Sequence, residues 1–380
     1  METDIPKEYR EDFFRAVVET VTDPVALVSK DFRILYHNKT ISKIYGSIVG
    51  KFCFETLKGR KQPCEDCLML DVLKVGKAKK KIHKYKLPNG QIVWAEDNVA
   101  PFRNAEGEII GVIDILRDIT EKKEAWDLLQ EALARLNDEL SEAADYVKSL
   151  LPPPIVTGPV RTDWRFVPSA SLGGDSFGYH WLDEDTFAIY LVDVSGHGVG
   201  AALQSVSVMN ALRSQSLPDT DFKNPEQVLT SLNVAFPSEE NNDMFFTIWY
   251  GVYNKSTREL TYASGGHPPA LFFDRGHAGE SNAILLRTAN KAIGVMPDVA
   301  YKKNKHLVGE QTTLYIFSDG AYEVQKSDGS MWQFKEFADF MNKIKSASQS
   351  RLDRLYQHVK NIGNLENFED DFTIVEVSFT

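Results

Sequence analysis

The sequence predicts a multidomain α+β protein, in which a small strand-rich domain, a long helix and a larger strand-rich half follow one another. Its 380 residues are enough for two or three domains. From Ile119 to Pro152 the chain has neither an internal Gly nor an internal Pro and reads as one helix. On both sides of it lie short apolar runs bounded by turn residues, which are typical of strands. The 43% hydrophobic and 26% charged residues disfavour a disordered or collagenous chain.

Charge and cysteine content predict a cytoplasmic protein. With 43 Lys and Arg against 54 Asp and Glu, the net charge is −11, which would repel a phosphate backbone, so we expect no nucleic acid partner. No stretch approaches the roughly 18–20 apolar residues of a membrane span, and Met1–Phe14 lacks the cationic-then-apolar order of a signal peptide. Three cysteines are too few for a secreted disulfide framework.

The region before the long helix is predicted to be a five-stranded α+β domain. A helix is expected near Phe14–Val21, followed by a hairpin around Lys30-Asp31. Asn89-Gly90 and Glu106-Gly107 are turn dipeptides that separate the later strands. The predicted strands are Pro24–Val28, Ile34–Tyr36, His83–Leu87, Ile92–Val99 and Ile109–Ile115.

This domain resembles a PAS domain, and we assign it residues 10–118. The residues that carry the resemblance are Asp23-Pro24-Val25, Asn38, Gly50, Pro101-Phe102, Gly107, Gly111 and the closing Asp118-Ile119-Thr120. The resemblance implies a PAS α/β sensor fold that serves as a sensory or dimerising input module. PAS pockets accept haem, flavin, small acids or nothing, and the sequence leaves the ligand unknown.

The three cysteines lie inside this domain, two of them in the C-x-x-C motif of Cys64 and Cys67. Such a pair can bind a soft metal or form a redox disulfide, with Cys53 as a third ligand and His83 as a candidate fourth. The alternative is that the cysteines only pack in the core or at a helix end.

Residues 119–151 are predicted to form a coiled-coil linker helix. Counting Ile119 as position a, the a and d positions are all apolar except Lys122, for more than four heptads. This pattern predicts a parallel homodimer, and the alternative is a helix packed on its own domain. The run Pro152-Pro153-Pro154 ends the helix.

In the C-terminal half, aspartates follow predicted buried strands. Phe187–Val192 leads into Asp193, and Thr313–Ser318 leads into Asp319. Further carboxylates come from Gly173-Gly174-Asp175 and from Asp370-Asp371. Clustered carboxylates repel one another unless cations compensate them, and all-oxygen ligands suit Mg²⁺ or Mn²⁺ better than Zn²⁺.

These motifs resemble SpoIIE/RsbU-type members of the metal-dependent (PPM) serine/threonine protein phosphatases. The matching motifs, in family order, are Gly173-Gly174-Asp175, Asp193-Val194-Ser195-Gly196-His197-Gly198, Ala263-Ser264-Gly265-Gly266-His267-Pro268-Pro269, Ser318-Asp319-Gly320 and Asp370-Asp371-Phe372-Thr373. The resemblance implies that residues 152–380 form an α-β-β-α sandwich phosphatase domain. The strand pattern agrees, since Met244–Tyr253 and Glu259–Ala263 are predicted to form a hairpin.

The resemblance also implies a centre of two Mn²⁺ or Mg²⁺ ions. Asp193 would bridge the ions and Val194 would offer its backbone carbonyl, while Asp175 would serve one ion and Asp319 and Asp370 the other. The ions would acidify a water for attack on the phosphoester, without a covalent phosphoenzyme. Asp371, the neighbour of Asp370, is expected to support the ligands or cap a strand.

Two histidines in the motifs have open roles. His197 is the candidate catalytic acid that protonates the leaving alkoxide, and His267 is a weaker candidate for the same role. For both, the alternative is a hydrogen-bonded turn residue or one that orients a ligand.

The segment from Leu217 to Asp243, which contains three prolines, also allows two interpretations. It is predicted to be either a surface excursion or a region that contacts the substrate.

Together the predictions describe a PAS-regulated phosphatase of phosphoserine or phosphothreonine. The resemblance implies a bacterial signalling protein as substrate, namely a STAS-type anti-sigma-factor antagonist. The alternative is a signalling scaffold, whose phosphatase domain is inactive and whose PAS domain senses a ligand or redox change.

Overall fold

The computed structural model describes residues 7–169, 172–274, 283–344, 350–363, 368 and 370–380. Residues 1–6, which belong to the segment in which no signal peptide is predicted, lie outside this set. The chain divides into two compact units, one ending at Arg135 and the other beginning at Leu136. Within the described residues, no helix combines the length and the hydrophobicity that a membrane span requires.

The first unit contains the five predicted strands in one antiparallel sheet of order β2-β1-β5-β4-β3. Its strands are β1 (Val25–Ser29), β2 (Ile34–His37), β3 (Lys79–Lys86), β4 (Ile92–Arg103) and β5 (Ile109–Asp118). Its helices are α1 (Lys7–Thr20), α2 (Lys39–Tyr45), α3 (Cys53–Thr56) and α4 (Leu68–Val75). The predicted strands are therefore confirmed, with β3 beginning four residues earlier than expected.

Asn38, one of the residues that indicated a PAS domain, is fully buried and connects three segments. Its Oδ1 accepts hydrogen bonds from the backbone N–H of Ile41 at 3.3 Å, where it caps α2, and of Val25 at 3.2 Å. Its Nδ2 donates to the carbonyls of Val21 and Asp23. Because each of these groups would otherwise be buried without a partner, Asn38 stabilises the turn into β1 and the start of α2 together.

The three cysteines are half-buried free thiols. Burial raises the pKa of Cys53 to about 12, so this thiol is protonated and a poor nucleophile at neutral pH. A structural zinc site needs about four protein ligands, whereas the described part of the chain holds no group of three or more His, Cys, Asp or Glu side chains placed to bind a metal ion. These observations favour packing over a metal role for the cysteines, and the redox alternative for Cys64 and Cys67 stays a prediction.

The predicted linker helix is α5 (Thr120–Ser149), and none of its 30 residues is buried. The predicted a and d residues Trp126, Leu129 and Leu133 are 56%, 49% and 45% exposed. The alternative of a helix packed on its own domain is therefore not observed, and the coiled-coil dimer stays a prediction.

The second unit contains two five-stranded antiparallel sheets, of order β13-β10-β9-β8-β7 and β12-β11-β14-β17-β6. A two-stranded ribbon pairs β15 with β16. The strands are β6 (Val160–Val167), β7 (Asp175–Trp181), β8 (Thr186–Val194), β9 (Phe246–Asn254), β10 (Glu259–Gly265), β11 (Ala270–Phe273), β12 (Ile284–Leu286), β13 (Asn304–Leu307), β14 (Thr312–Phe317), β15 (Val324–Gln325), β16 (Met331–Trp332) and β17 (Phe372–Phe379). The helices are α6 (Val199–Arg213), α7 (Pro225–Ala235), α8 (Phe334–Lys343) and α9 (Arg351–Gly363).

Strand β14 shows why these elements form an α-β-β-α sandwich. Its side chains alternate between two apolar clusters, because successive residues of a strand point to opposite faces. Leu314 and Ile316 join the cluster shared with the first sheet, and that cluster also receives residues of α6 and α7. Tyr315 and Phe317 join the cluster under α8 and α9. The predicted sandwich is therefore confirmed.

The interpretation of Leu217–Asp243 as a surface excursion is wrong for its central part. Pro225 occupies the first turn of α7, where its missing N–H costs nothing. Val228, Leu229 and Leu232 of this helix are fully buried. The prolines hid a packed helix, because one of them starts that helix rather than breaking it.

Candidate metal centre

The predicted aspartates meet at one end of the two sheets of the second unit. Asp175 begins β7 and lies directly opposite Asp193 of β8 in the strand register. Asp319 follows β14, and Asp370 and Asp371 precede β17, its neighbour in the second sheet. Carboxylates that oppose each other in a sheet repel, so this arrangement destabilises the free protein unless something compensates the charge.

Two glycines let the backbone approach these carboxylates closely. A Cβ on Gly173 would lie 2.4 Å from Oδ2 of Asp371, and a Cβ on Gly174 would lie 2.7 Å from the carbonyl oxygen of Val194. Both distances are shorter than a van der Waals contact allows, so a side chain at either position would displace the Asp371 carboxylate or the Val194 backbone. Close packing against Asp371 and Val194 thus explains the two glycines of the Gly173-Gly174-Asp175 motif, which could not be seen from the sequence alone.

Asp371 connects three segments around the centre. Its Oδ1 accepts hydrogen bonds from the backbone N–H of Ser169 at 2.8 Å and from the Ser169 hydroxyl at 3.0 Å. Its Oδ2 accepts from the backbone N–H of Asp175 at 3.2 Å. The Asp371 carboxylate therefore holds the segment that enters β7 against the start of β17. This contact is consistent with the supporting role predicted for Asp371.

Two hydroxyl residues that the sequence analysis did not single out complete the surroundings. The Thr373 hydroxyl donates to Oδ2 of Asp175, and the Ser318 hydroxyl donates to the Asp371 carbonyl at 2.9 Å. Both residues lie within the quoted motifs, in which Ser318 directly precedes Asp319 and Thr373 follows Asp371 by two positions, and this was the only available signal.

The electrostatic state of the centre follows from burial and mutual repulsion. Burial, with the nearby Asp193 and Asp371, raises the pKa of Asp175 well above its usual range. Burial and the charges of Asp319, Asp370 and Asp371 raise the pKa of Asp193 to about 8. Burial and Asp370 raise the pKa of Asp319 to about 6. The carboxylates therefore lie close enough to disfavour each other's ionisation, as expected of a cation site without its cation.

The donor set fits hard divalent cations. In the described part of the chain no Lys or Arg forms an ion pair with these five aspartates. The oxygens do not form a closed cage, because no three acidic or histidine side chains there are placed to hold one ion. Mg²⁺ commonly uses only one or two carboxylates and keeps several waters, so an open set of oxygens suits it.

The two histidines of the motifs lie in different environments. His197 is exposed in the loop between β8 and α6. His267 is 7% exposed, and its Nδ1 shares a hydrogen bond of 2.7 Å with the Thr247 hydroxyl. Burial lowers the pKa of His267 to about 3, so its imidazole is neutral at physiological pH. This disfavours His267 as a proton donor and leaves His197 as the candidate.

Comparison with protein families gives two matches. The profile described as stage II sporulation protein E (SpoIIE) matches residues 183–380. A profile described as PAS fold matches residues 18–124.

Comparison with curated proteins finds two phosphoserine phosphatases of Bacillus subtilis. RsbU is 28% identical over 214 residues, which cover 55% of this chain and 60% of RsbU. RsbP is 28% identical over 189 residues, which cover 49% of this chain and 45% of RsbP. The chain thus spans about half the length of the curated relatives it matches.

Two solved structures show the same fold as the second unit. The PP2C domain of SiaA from Pseudomonas aeruginosa superposes with a TM-score of 0.54 at 19% identity, covering 66% of this chain and 99% of that chain. The PP2C phosphatase domain of SpoIIE from Bacillus subtilis, solved with a fragment of its regulatory domain, superposes with a TM-score of 0.50 at 14% identity. That superposition covers 76% of this chain and 70% of the SpoIIE chain.

Proposed function

We propose that this chain, which belongs to the SpoIIE family, is a metal-dependent phosphatase of phosphoserine and phosphothreonine in proteins. The observation that carries the proposal is the gathering of five aspartates at the ends of β7, β8, β14 and β17, with Asp175 and Asp371 buried among them. Its curated relatives RsbU and RsbP are named as phosphoserine phosphatases, which supports the same chemistry here.

We propose that the cluster binds two Mn²⁺ or Mg²⁺ ions. The ions would be held by Asp175, Asp193, Asp319 and Asp370, with the carbonyl oxygen of Val194 as a further ligand and waters in the remaining positions. When bound, the ions supply Lewis-acid chemistry, which lowers the pKa of a water and neutralises charge on the phosphoryl group.

The residues around the ligands hold the reacting groups in place. Asp371 fixes the position of Asp175 through its backbone N–H, and the Thr373 hydroxyl fixes the orientation of the Asp175 carboxylate. His197 is exposed and lies in the same sequence motif as Asp193. Its imidazole would donate the proton that the leaving serine alkoxide needs. No cysteine takes part, because Cys53, Cys64 and Cys67 all belong to the other unit.

We further propose how the chain is organised and what it acts on. Residues 10–118 would be the PAS sensory domain, residues 119–151 the coiled coil of a homodimer, and residues 152–380 the phosphatase domain. The substrate would be a phosphorylated STAS-type anti-sigma-factor antagonist in the bacterial cytoplasm, a compartment in which three free thiols stay reduced. The apolar, exposed face of α5 supports the dimer.

The test is phosphate release from a phosphoserine peptide and from p-nitrophenyl phosphate, with Mn²⁺ and with EDTA, by the intact chain. We expect turnover that requires Mn²⁺ and falls at least about 1,000-fold in Asp193→Asn, because the central carboxylate is lost. Asp298→Asn, an exposed position with a positive φ that Asn also adopts, is the matched control. Mn²⁺ binding without turnover of either substrate would contradict the proposal and favour the scaffold alternative.

A further inference from the structure

The first unit contains a partly open cavity of about 860 Å³ whose purpose the phosphatase chemistry does not explain. Its volume is that of a pocket for a small organic ligand. Most of its wall is apolar, with contributions from the sheet and from the helices that cover it. These residues include Val28, Ile44, Phe54, Leu57, Val99 and Val112.

Two carboxylates enter this apolar wall from neighbouring strands. In the register of β4 with β5, Asp114 pairs with Val99, two residues from Asp97. The two aspartates are therefore diagonal neighbours on one face of the sheet, with Cα atoms about 7–8 Å apart. A single small group between them can contact both carboxylates.

Each carboxylate has an oxygen without a hydrogen-bond partner among the described residues. Asp97 is only 8% exposed, yet its Oδ1 is unpartnered, as is Oδ1 of Asp114. Nδ1 of His83, on the adjacent β3, is also buried without a partner. Such groups cost free energy unless a bound molecule or water satisfies them, so three unsatisfied groups lining one cavity point to a polar ligand group.

The charge balance shows which sign that ligand group carries. Around Asp114 the titratable groups of the cavity are, element by element, Tyr45 on α2, Cys53 on α3, Lys58 after α3, Cys64 and Cys67 before α4, His83 and Tyr85 on β3, and Asp97 on β4. Burial lowers the pKa of His83, which favours its neutral form, and Lys58 approaches Asp97 only to 3.9 Å. One lysine therefore faces two carboxylates.

The other basic residues of the cavity wall do not change this balance. Lys81 is paired with Asp66, and Arg60, Lys84 and Lys86 are exposed, so solvent and salt screen their charges. An anionic ligand group placed between the two aspartates would meet uncompensated negative charge. A cationic group there would instead be attracted to both carboxylates.

We propose that this cavity binds a small organic amine as its protonated cation, with the ammonium group between Asp97 and Asp114 and its apolar body against the surrounding aliphatic and aromatic side chains. Small acids and haem were among the PAS ligands that the sequence left open. Asp97 and Asp114 would repel the carboxylate of a small acid and the carboxylates at the edge of haem. The inference concerns the input domain and does not depend on the proposed phosphatase activity.

The test is isothermal titration of the intact chain at pH 8 with 2-phenylethylamine, 2-phenylethanol and 3-phenylpropanoate as probes. We expect the amine to bind at least about tenfold more tightly than the alcohol, and the carboxylate to bind least. Because burial and Asp97 raise the pKa of Asp114 to about 7, the amine should bind more weakly at pH 6, where this carboxyl is protonated. The heat of binding does not depend on turnover. An absence of amine binding would therefore overturn this proposal and leave the phosphatase proposal unaffected.

Two isosteric variants separate the cavity from the surface. Asp114→Asn should weaken the amine at least about tenfold and leave the alcohol unchanged, whereas Asp31→Asn, in the exposed turn between β1 and β2, should alter neither. The proposal is overturned if the alcohol or the carboxylate binds as tightly as the amine, or if Asp114→Asn binds the amine as the wild type does. It is equally overturned if no member of a series of aliphatic and aromatic amines binds below about 10 mM.

Discussion

Each unit of this protein carries a pair of aspartates on neighbouring antiparallel strands, one of them buried and the other half-buried, and the two pairs have different surroundings. Asp175 and Asp193 lie directly opposite each other on β7 and β8, among further carboxylates, hydroxyls and glycines. Asp97 and Asp114 lie diagonally on β4 and β5 and line a large apolar cavity. Backbone packed tightly against carboxylates leaves room for a small hard ion and water, whereas an apolar cavity leaves room for an organic molecule. We propose that the strand-borne pair serves as a cation site in both units, and that its surroundings set the kind of cation.

The steric half of this comparison is tested most strongly by Gly173→Ala. The added Cβ would lie 2.4 Å from Oδ2 of Asp371 and would force that carboxylate away from Ser169 and the Asp175 backbone. We expect kcat/KM for p-nitrophenyl phosphate to fall about 100- to 1,000-fold, because small displacements of ligands are costly in such centres.

The matched control is Gly200→Ala in α6. Its Cβ would make only an ordinary contact of 3.7 Å with Sδ of Met244, so activity should stay within about twofold of the wild type. Full activity in Gly173→Ala would show that the tight backbone is not required, and the contrast between the two aspartate pairs would lose its steric basis.

The electrostatic half is tested by the pH dependence of stability. The pKa of Asp114 is raised to about 7 in the folded chain, against an ordinary value near 3.8, so the folded state binds the proton more tightly. Stability contributed by the protonated carboxyl is therefore lost as pH rises, by about 2–3 kcal/mol between pH 5 and pH 8.

Urea denaturation of the wild type and of Asp114→Asn at both pH values measures this effect. The variant should lack this part of the pH dependence, whereas Asp31→Asn should retain it, because Asp31 is exposed. If the unfolding free energy changes equally between pH 5 and pH 8 in Asp114→Asn and in the wild type, the Asp114 carboxylate is solvated like a surface group.

The smallest expected effect concerns His197. If its imidazole protonates the leaving alkoxide, His197→Ala should slow hydrolysis of a phosphoserine peptide about tenfold. Hydrolysis of p-nitrophenyl phosphate should change little, because nitrophenolate leaves without a proton. A change of under about threefold with the peptide would exclude proton donation and favour the turn-residue alternative.

Much of the fold and the acidic residues of the candidate centre could be predicted from the sequence, because their signals are local. A buried strand such as β8 is one continuous apolar run, and Asp193 comes directly after its core. The order of the motifs then indicated which aspartates meet. The metal ligands themselves stay a prediction, supported by the way the structure gathers these residues.

Other features could not be predicted because they depend on contacts between distant segments. The hydrogen bonds of Asp371 join residues about 200 positions apart, and nothing local in Asp370-Asp371 distinguishes a ligand from its support. Asp97 and Asp114 lie in ordinary strand sequences, and only the pairing of β4 with β5 brings them to one cavity. In α7 the local signal misled, because Pro225 at its start reads as a loop residue.

The double role of β14 and β17 limits how this protein can vary in length. These strands pair without a break from Thr312–Phe379 to Phe317–Ile374, and each alternates between the two apolar clusters. Deleting one residue from either strand would exchange the contents of the clusters and shift Asp319 relative to Asp370. Descendants of this sequence should therefore gain and lose residues in turns such as Asn254–Arg258, while the stretches Thr312–Asp319 and Asp370–Phe379 keep a constant length.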